Sequence, residues 1–465
     1  MITYNISEIK GPVYKGLYEL IKRDIKNGTL KAHEKMPSKR TFAKNLGISV
    51  ISVENSYEQL ISEGYLYAIT KKGYFVSEIS NYILPEIRDS QKKSIKMPEV
   101  EECEFDFSSN QVDPSSFPFS VWTRIIREVL STKEKELLTL SPCGGVKELR
   151  KAISGHLSSF RGMAVSPDQI IVGAGTEYLY SLLIKLLGKD RIYCIENPGY
   201  KKLSKIYKNN DAQYRYAGMD DYGILIEELR QSGAEIAHVS PAHHFPTGIT
   251  MPVSRRTELL EWANEKDGRY IIEDDYDSEF RLNGKPIPPV QSLDIKGKVV
   301  YMNTFSKSLT STIRISYMVL PEELANKFYE EMSFYSCTVS TFEQYALSEF
   351  IKQGYFEKHI NRMRLYYGRK RAKVIQVIKN TFTDNECKIL ENDSGLHFIL
   401  QLNTVLSDSE IKSKLLERKI KISSIDDFNM KEEKTDSHQF ILNYSGLNIE
   451  KLEDAVCVLK EISSI

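Results

Sequence analysis

A lysine just after an apolar strand can form a Schiff base with an aldehyde cofactor, and VVYMNTFSKSL puts Lys307 there, flanked by Thr304 and Ser306. Those hydroxyls suit a phosphate, and Arg314, seven residues on, can contact the same phosphate in bidentate fashion. A second segment, YIIEDDY, ends a strand in carboxylates. Positions two apart share a strand face, so Asp274 and Tyr276 point together with Ile272 while Asp275 points away. A carboxylate facing a pyridine nitrogen keeps it protonated, and a phenol beside it can hydrogen-bond a ring hydroxyl. A third segment, IIVGAG, runs into TEYLYSLL and sets Gly175 and Thr176 at a helix N-terminus. Free N–H groups and the helix dipole favour a phosphate there. Taken singly, each piece also has a plain structural reading: a solvated lysine, a polar strand end, an ordinary strand–Gly–helix junction. Taken together they describe one chemistry.

The elements that must position these residues form an α/β pattern. QIIVGAG, RIYCIE, IAHVSP, YIIEDD and VVYMNTF are short strand candidates, several separated by helical stretches such as TEYLYSLLIKLLG. That alternation implies a mainly parallel sheet flanked by helices. A long helical stretch from FEQYALSEF to KVIQVI and a small α+β tail follow.

The first 77 residues read differently. Val13, Leu17, Leu20, Ile21 and Ile25 recur at helical spacing, and Asn27-Gly28 closes that helix. Ser38 is a candidate N-cap for a second helix, Lys39 to Leu46, and Gly47 makes the turn. Ser49 caps a third helix to about Ser62, ended by Gly64. YLYAIT and GYFVS alternate as strands around Lys71-Lys72-Gly73. Helix, helix–Gly–helix and basic hairpin make a winged helix-turn-helix. Ser49, Ser52 and Asn55 fall on the outer face of its recognition helix, with Val53 and Tyr57 inward. Arg40 and the wing residues Lys71 and Lys72 suit double-stranded DNA phosphates, and Gly73 permits close backbone approach. The plain alternative is a solvated helical hairpin with a basic face; the ordered set favours DNA.

Charge supports the division. The 465 residues carry 63 basic and 63 acidic side chains, a balance that by itself points away from nucleic acid. Residues 1–77 nevertheless hold twelve Lys/Arg against seven Asp/Glu, a net of +5, and the rest, 51 against 56, carries −5. The polar segment 78–105, with two prolines and no sustained period, reads as a linker, leaving 106–465 as the second part. No apolar run reaches membrane-spanning length, and MITYNISEIKGPVYKGL lacks the apolar stretch of a signal peptide. Six scattered cysteines without CxxC spacing suggest neither a disulfide framework nor a metal site, as expected of a cytoplasmic protein.

Residues 10–77, through MPSKRTFAKNLGISVISVENSYEQLISEGYLYAITKKGYFV, resemble the GntR-type winged helix, although Glu54 stands where many relatives carry a basic contact residue. GAGTEYL, ENPGY, HFPTG, EDDYDSEFR and TFSKSL-x4-R resemble fold-type I aminotransferases, which use pyridoxal 5'-phosphate (PLP). The resemblance implies that Lys307 carries the internal aldimine, Asp274 pairs with the pyridine nitrogen, Tyr276 contacts the ring hydroxyl and Tyr200 stacks on the ring. Gly175, Thr176, Thr304, Ser306 and Arg314 would hold the phosphate. The fusion resembles the MocR/GabR group of regulators. That resemblance implies a domain-swapped homodimer that senses a small amino compound through external aldimine formation at Lys307. The alternatives are an active PLP aminotransferase and a regulator whose effector is PLP itself.

Several positions depart from those families. Transaminases usually hold Asn where this chain has Phe245, and FILNYSGL lacks their substrate-carboxylate Arg. Relatives that sense γ-aminobutyrate carry an Arg where Lys202 aligns, leaving Lys202 as a candidate effector anchor or a solvated lysine. Their second Arg aligns near Ile425–Phe428, which contains acids. His243, His244 and His397 are candidates to line the pocket or to serve as buried structural histidines.

Overall fold

The computed structural model describes residues 2–6, 9, 11–79, 103–109, 111–113, 116–282, 287–390, 395–430 and 436–464. The chain divides into two compact units, Met1–Val100 and Glu101–Ile465. Most of the expected linker, 80–102, lies outside the described residues.

In the first unit, helix Val13–Lys26 buries Leu17, Tyr18, Ile21 and Ile25. Ser38 Oγ accepts from Thr41 N at 3.2 Å and so caps helix Lys39–Leu46. That helix ends at Gly47, whose φ of 67° is the left-handed conformation glycine tolerates without strain. Ser49 caps Val50–Ser62 in the same manner, through Ser52 N at 3.1 Å. Strands Leu66–Ile69 and Gly73–Val76 pair antiparallel across the Lys71-Lys72 turn, and Lys35 bridges to Phe75 as a fragment of a third strand. Leu17, Ile21, Phe42, Val53, Tyr57 and Leu60 are fully buried, each stabilising the unit by roughly 1.5–3 kcal/mol.

The second unit is built on an eight-stranded sheet. In spatial order its strands are Ile170–Gly173, Ser316–Val319, Val299–Thr304, Tyr270–Asp275, Ile236–Val239, Ile192–Asn197, Gln213–Asp220 and Gly223–Ile224. Pairing is antiparallel only where Ser316–Val319 and Gly223–Ile224 meet their neighbours. The central strands are buried on both faces, which is why they read as continuous apolar runs. Three strands beyond the five expected complete the main sheet: the polar-alternating Gln213–Asp220, the two-residue Gly223–Ile224 and the four-residue Ser316–Val319.

The expected long helical stretch is two helices, Thr341–Lys352 and Tyr355–Thr381. Gly354, at φ 75°, breaks the hydrogen-bond ladder between them. The C-terminal lobe has a four-stranded sheet in the order Cys387–Leu390, His397–Leu402, Gln439–Asn443, Ser423–Ser424. Helices Asp408–Glu417 and Leu452–Ser463 accompany it. Phe105–Asp106 pairs in parallel with Ile420–Lys421, so residues near the start of this unit are held by its last lobe. No described helix is long and apolar enough to cross a membrane.

Candidate functional site

Ligands of parallel α/β sheets bind beyond the strand C-termini, and there a cavity of about 420 Å³ opens. Thr176, Tyr200, Lys202, Asp274, Tyr276, Thr304, Ser306, Lys307 and Arg314 all line it. The sequence had these residues scattered over 139 positions; the fold brings them to one place.

Strand alternation sorts the carboxylates as expected. Asp274 and Tyr276 face the cavity, whereas Asp275 turns away to Arg161 at 2.5 Å and Tyr301 at 2.7 Å. Asp274 Oδ2 accepts a 2.5 Å hydrogen bond from Tyr180 of helix Thr176–Leu187. Its Oδ1 is buried and has no partner among the described residues. Removal from water raises its carboxyl to about 6, against the opposing Tyr180 bond. Tyr276 Oη lies 3.3 Å from His243 Nδ1, and burial lifts its phenol well above the ordinary range.

Lys307 sits in the short helix Phe305–Ser308, capped by Thr304, whose hydroxyl accepts from Ser306 N at 3.1 Å. Burial lowers the Lys307 ammonium to about 8, and the Asp277 carboxylate partly opposes that fall. The Thr304 hydroxyl also accepts from Ser316 at 2.8 Å, so its first task is to shape the turn. Ser306 Oγ, by contrast, is buried without a partner among the described residues.

Gly175 adjoins the cavity at φ 92°. A Cβ there would lie 2.3 Å from Arg314 Nη2, the movable end of a long side chain, so the demand for glycine comes from the positive φ. Arg314 itself has φ 49° and lies 3.9 Å from Glu177. Tyr200 is 41% exposed and meets Phe245 edge-on at 6.2 Å. Lys202 donates to Glu177 at 2.7 Å.

Of the three histidines considered, His244 lines the cavity, 3.5 Å from Glu196. Burial lowers its imidazolium to about 3 and raises the Glu196 carboxyl to about 8. His243 and His397 pack against each other at 4.5 Å and are held by Asp277 at 2.9 Å and by the Pro246 carbonyl at 3.1 Å. Sequence reasoning missed Glu177, Tyr180, Glu196 and Phe428, which also line the cavity. Tyr180 was discoverable, since it lies one helical turn beyond Thr176 on the same face.

On the winged helix, Ser38, Arg40, Ser49, Asn55, Lys71 and Lys72 are exposed, while Ser52 and Gly73 are half-buried. Val53 and Tyr57 are fully buried. Ser52 Oγ lies 2.8 Å from Ser49 Oγ, so its hydroxyl serves the cap. Lys71 and Gly73 both have positive φ, 63° and 113°, which turns the wing tip. Glu54 is paired with Lys39 at 2.6 Å. Ile51, not anticipated from the sequence, is 67% exposed beside the helix N-terminus, where an apolar side chain can touch a thymine methyl.

Two family models match. "Bacterial regulatory proteins, gntR family" covers residues 13–76, and "Aminotransferase class I and II" covers residues 104–459. The chain is 37% identical over 415 residues to the uncharacterized HTH-type transcriptional regulator YdeL of Bacillus subtilis, covering 88% of each chain. It is 29% identical to the probable rhizopine catabolism regulatory protein MocR of Rhizobium meliloti, over 85% of this chain and 83% of that one. The multiple substrate aminotransferase of Thermococcus profundus shares the fold, with a TM-score of 0.69 at 24% identity, covering 79% of this chain and 92% of that one. The chain belongs to the MocR/GabR group of HTH-type transcription regulators, in which a GntR winged helix is joined to a fold-type I aminotransferase unit.

Proposed function

We propose that this regulator carries pyridoxal 5'-phosphate on Lys307 and reports the presence of a small amino compound to its winged helix in the cytoplasm. The observation that carries the reading is the convergence of Lys307, Asp274 and Arg314 on one cavity in a chain that also holds a winged helix.

The residues fit the cofactor. Asp274 Oδ1 lacks a donor among the described residues, and a protonated ring nitrogen would supply one. Tyr276 would meet the ring hydroxyl, and Tyr200 would stack on the ring. Gly175, Thr176, Thr304, Ser306 and Arg314 would surround the phosphate, with the buried Ser306 hydroxyl as a donor in need of an acceptor. When bound, the cofactor supplies an aldehyde that condenses with primary amines. With its ammonium lowered to about 8, Lys307 holds about a tenth of its amine neutral and nucleophilic at pH 7. An amino compound entering the cavity competes with that amine. It shifts the protein only as far as its affinity differs between the two states of the unit.

In the same proposal, residues 1–77 read DNA, 78–105 tether them and 106–465 sense. Arg40, Lys71 and Lys72 contact phosphates. Ser38, Ser49, Ser52, Asn55 and Gly73 shape or touch the groove-facing surface. A homodimer, domain-swapped as in the family resemblance, would gain avidity from paired half-sites.

Footprinting of the protein on DNA upstream of its own gene, with and without the cofactor and with an amine panel, tests this. Protection that changes with an amine is the expected result. A switch made by the cofactor alone, with amines adding nothing, would show a sensor of cofactor supply. Sustained turnover with an α-keto acid at about 1 s⁻¹ or more would show an enzyme.

A further inference from the structure

We propose that the effector end of the cavity is built for a primary amine with an aromatic or apolar body and no carboxylate. This rests on the sensing reading above and adds the chemical class of the effector.

The argument begins with the cations. Among the described residues, the Lys and Arg side chains that line the cavity are Lys202, Lys307 and Arg314. Lys307 is the amine that meets the cofactor, and Arg314 belongs to the phosphate end. Lys202 is already matched by Glu177 at 2.7 Å, and the same carboxylate lies 3.9 Å from Arg314. The other titratable groups lining the cavity are the acids Glu196 and Asp274, the uncharged imidazole of His244 and the neutral phenols of Tyr180, Tyr200 and Tyr276, and none of them is a cation. An effector carboxylate would therefore lose its hydration without gaining a cation, which is costly.

The Tyr200 side offers aromatic surface instead. Phe245 stands edge-on to Tyr200 at 6.2 Å and 84°, and Phe428 stands edge-on to Phe245 at 5.0 Å and 88°. Both phenylalanines line the cavity and are only half-buried, leaving ring surface for a further edge-to-face contact. The wall is fixed from behind. Gly199 N donates to the Phe428 carbonyl at 3.1 Å. Asn197 Nδ2 donates to Asn429 Oδ1 at 3.1 Å, and Asn197 Oδ1 accepts from Met430 N at 2.8 Å. The neighbouring acids are occupied elsewhere: Asp427 with Lys412 at 2.5 Å, and Asp426 with Ser437 N at 3.0 Å.

The test is a spectroscopic titration of the full-length protein with its cofactor bound, using 2-phenylethylamine, methylamine, L-phenylalanine and γ-aminobutyrate. The cofactor absorbance should respond to 2-phenylethylamine at roughly tenfold lower concentration than to the other three, or lower still. Phe245→Ala and Phe428→Ala should each shrink the advantage of 2-phenylethylamine over methylamine by about tenfold. Phe428→Leu, which keeps apolar volume but lacks the ring edge, should shrink it less; its retained cofactor band reports folding. If either carboxylate-bearing amine matches or outcompetes 2-phenylethylamine, the proposal is wrong while amine sensing stands. If no amine changes the spectrum of cofactor-loaded protein, the sensing reading fails with it.

Discussion

The hydroxyl of Tyr180 donates to one oxygen of Asp274 at 2.5 Å, and the other oxygen of that carboxylate is buried without a partner among the described residues. The two residues come from a helix and a strand 94 positions apart. One oxygen is thus held by the protein, and the second keeps an unfilled acceptor site. The bond also opposes the burial that raises the Asp274 carboxyl to about 6.

Tyr180→Phe should therefore weaken cofactor retention. A hydrogen bond to a charged group contributes about 1.5–3 kcal/mol, so a loss of roughly tenfold or more in affinity is expected by equilibrium dialysis. Without the phenol the Asp274 carboxyl rises further, so the loss should be greatest near neutral pH and shrink in alkaline buffer, where the carboxylate ionises regardless. A loss that is uniform in pH would mean that Tyr180 only fills space.

Lys307→Ala should abolish the near-visible band of the cofactor joined to the protein, while free cofactor still absorbs as it does in solution. Persistence of the band would place the covalent attachment on another lysine.

On the DNA side, Lys71→Ala with Lys72→Ala should lower the slope of log affinity against log salt by about 2, equally for all sequences. Asn55→Ala should instead relax preference at one base pair, at a cost of about 1–3 kcal/mol. Equal salt slopes for the wing variant and the parent would remove the wing from the phosphate contacts.

Glu196 sets a pH dependence whose sign follows from its burial. Its carboxyl, raised from 4.5 to about 8, keeps a proton in the folded protein that the unfolded chain has released. Stability contributed below 4.5 is therefore lost as pH rises toward 8, by up to about 1.4 kcal/mol per unit. Near pH 6.5 the buried His238 and His244 oppose this fall, because the unfolded chain still half-protonates them, and they become neutral in both states only about one unit higher. Between pH 6.5 and 8, thermal melts of cofactor-free parent should lose more stability with rising pH than those of Glu196→Gln, in which the buried histidines are unchanged. An unchanged slope in the variant would show that Glu196 is ionised in the fold.

What was legible in the sequence was mostly local or periodic. The Ser38 and Ser49 caps reach only three residues along the chain, and the opposite facing of Asp274 and Asp275 follows from the strand period of two. Phe428 was not legible, because it reaches the cavity through a contact with Gly199 made by a different lobe. Ser316–Val319 escaped for another reason: a four-residue strand, SYMV, running antiparallel inside a mainly parallel sheet is too short to carry a periodic signature. The break at Gly354 was visible as a glycine but was outweighed by the helical pattern on both sides.

The pairing of Phe105–Asp106 with Ile420–Lys421 bears on how the protein is made. Phe107 N donates to the Lys421 carbonyl at 2.8 Å, and Ser108 meets Ser423 across 315 residues of chain. At about 5–20 residues per second, a ribosome needs roughly 15–60 s to deliver the partner of that strand. The winged helix, whose core lies between Ile2 and Val76, has no such wait. Nascent chains should thus pass through a period with the DNA reader complete and Phe105–Phe107 still unpaired, an interval in which a chaperone has an apolar segment to hold.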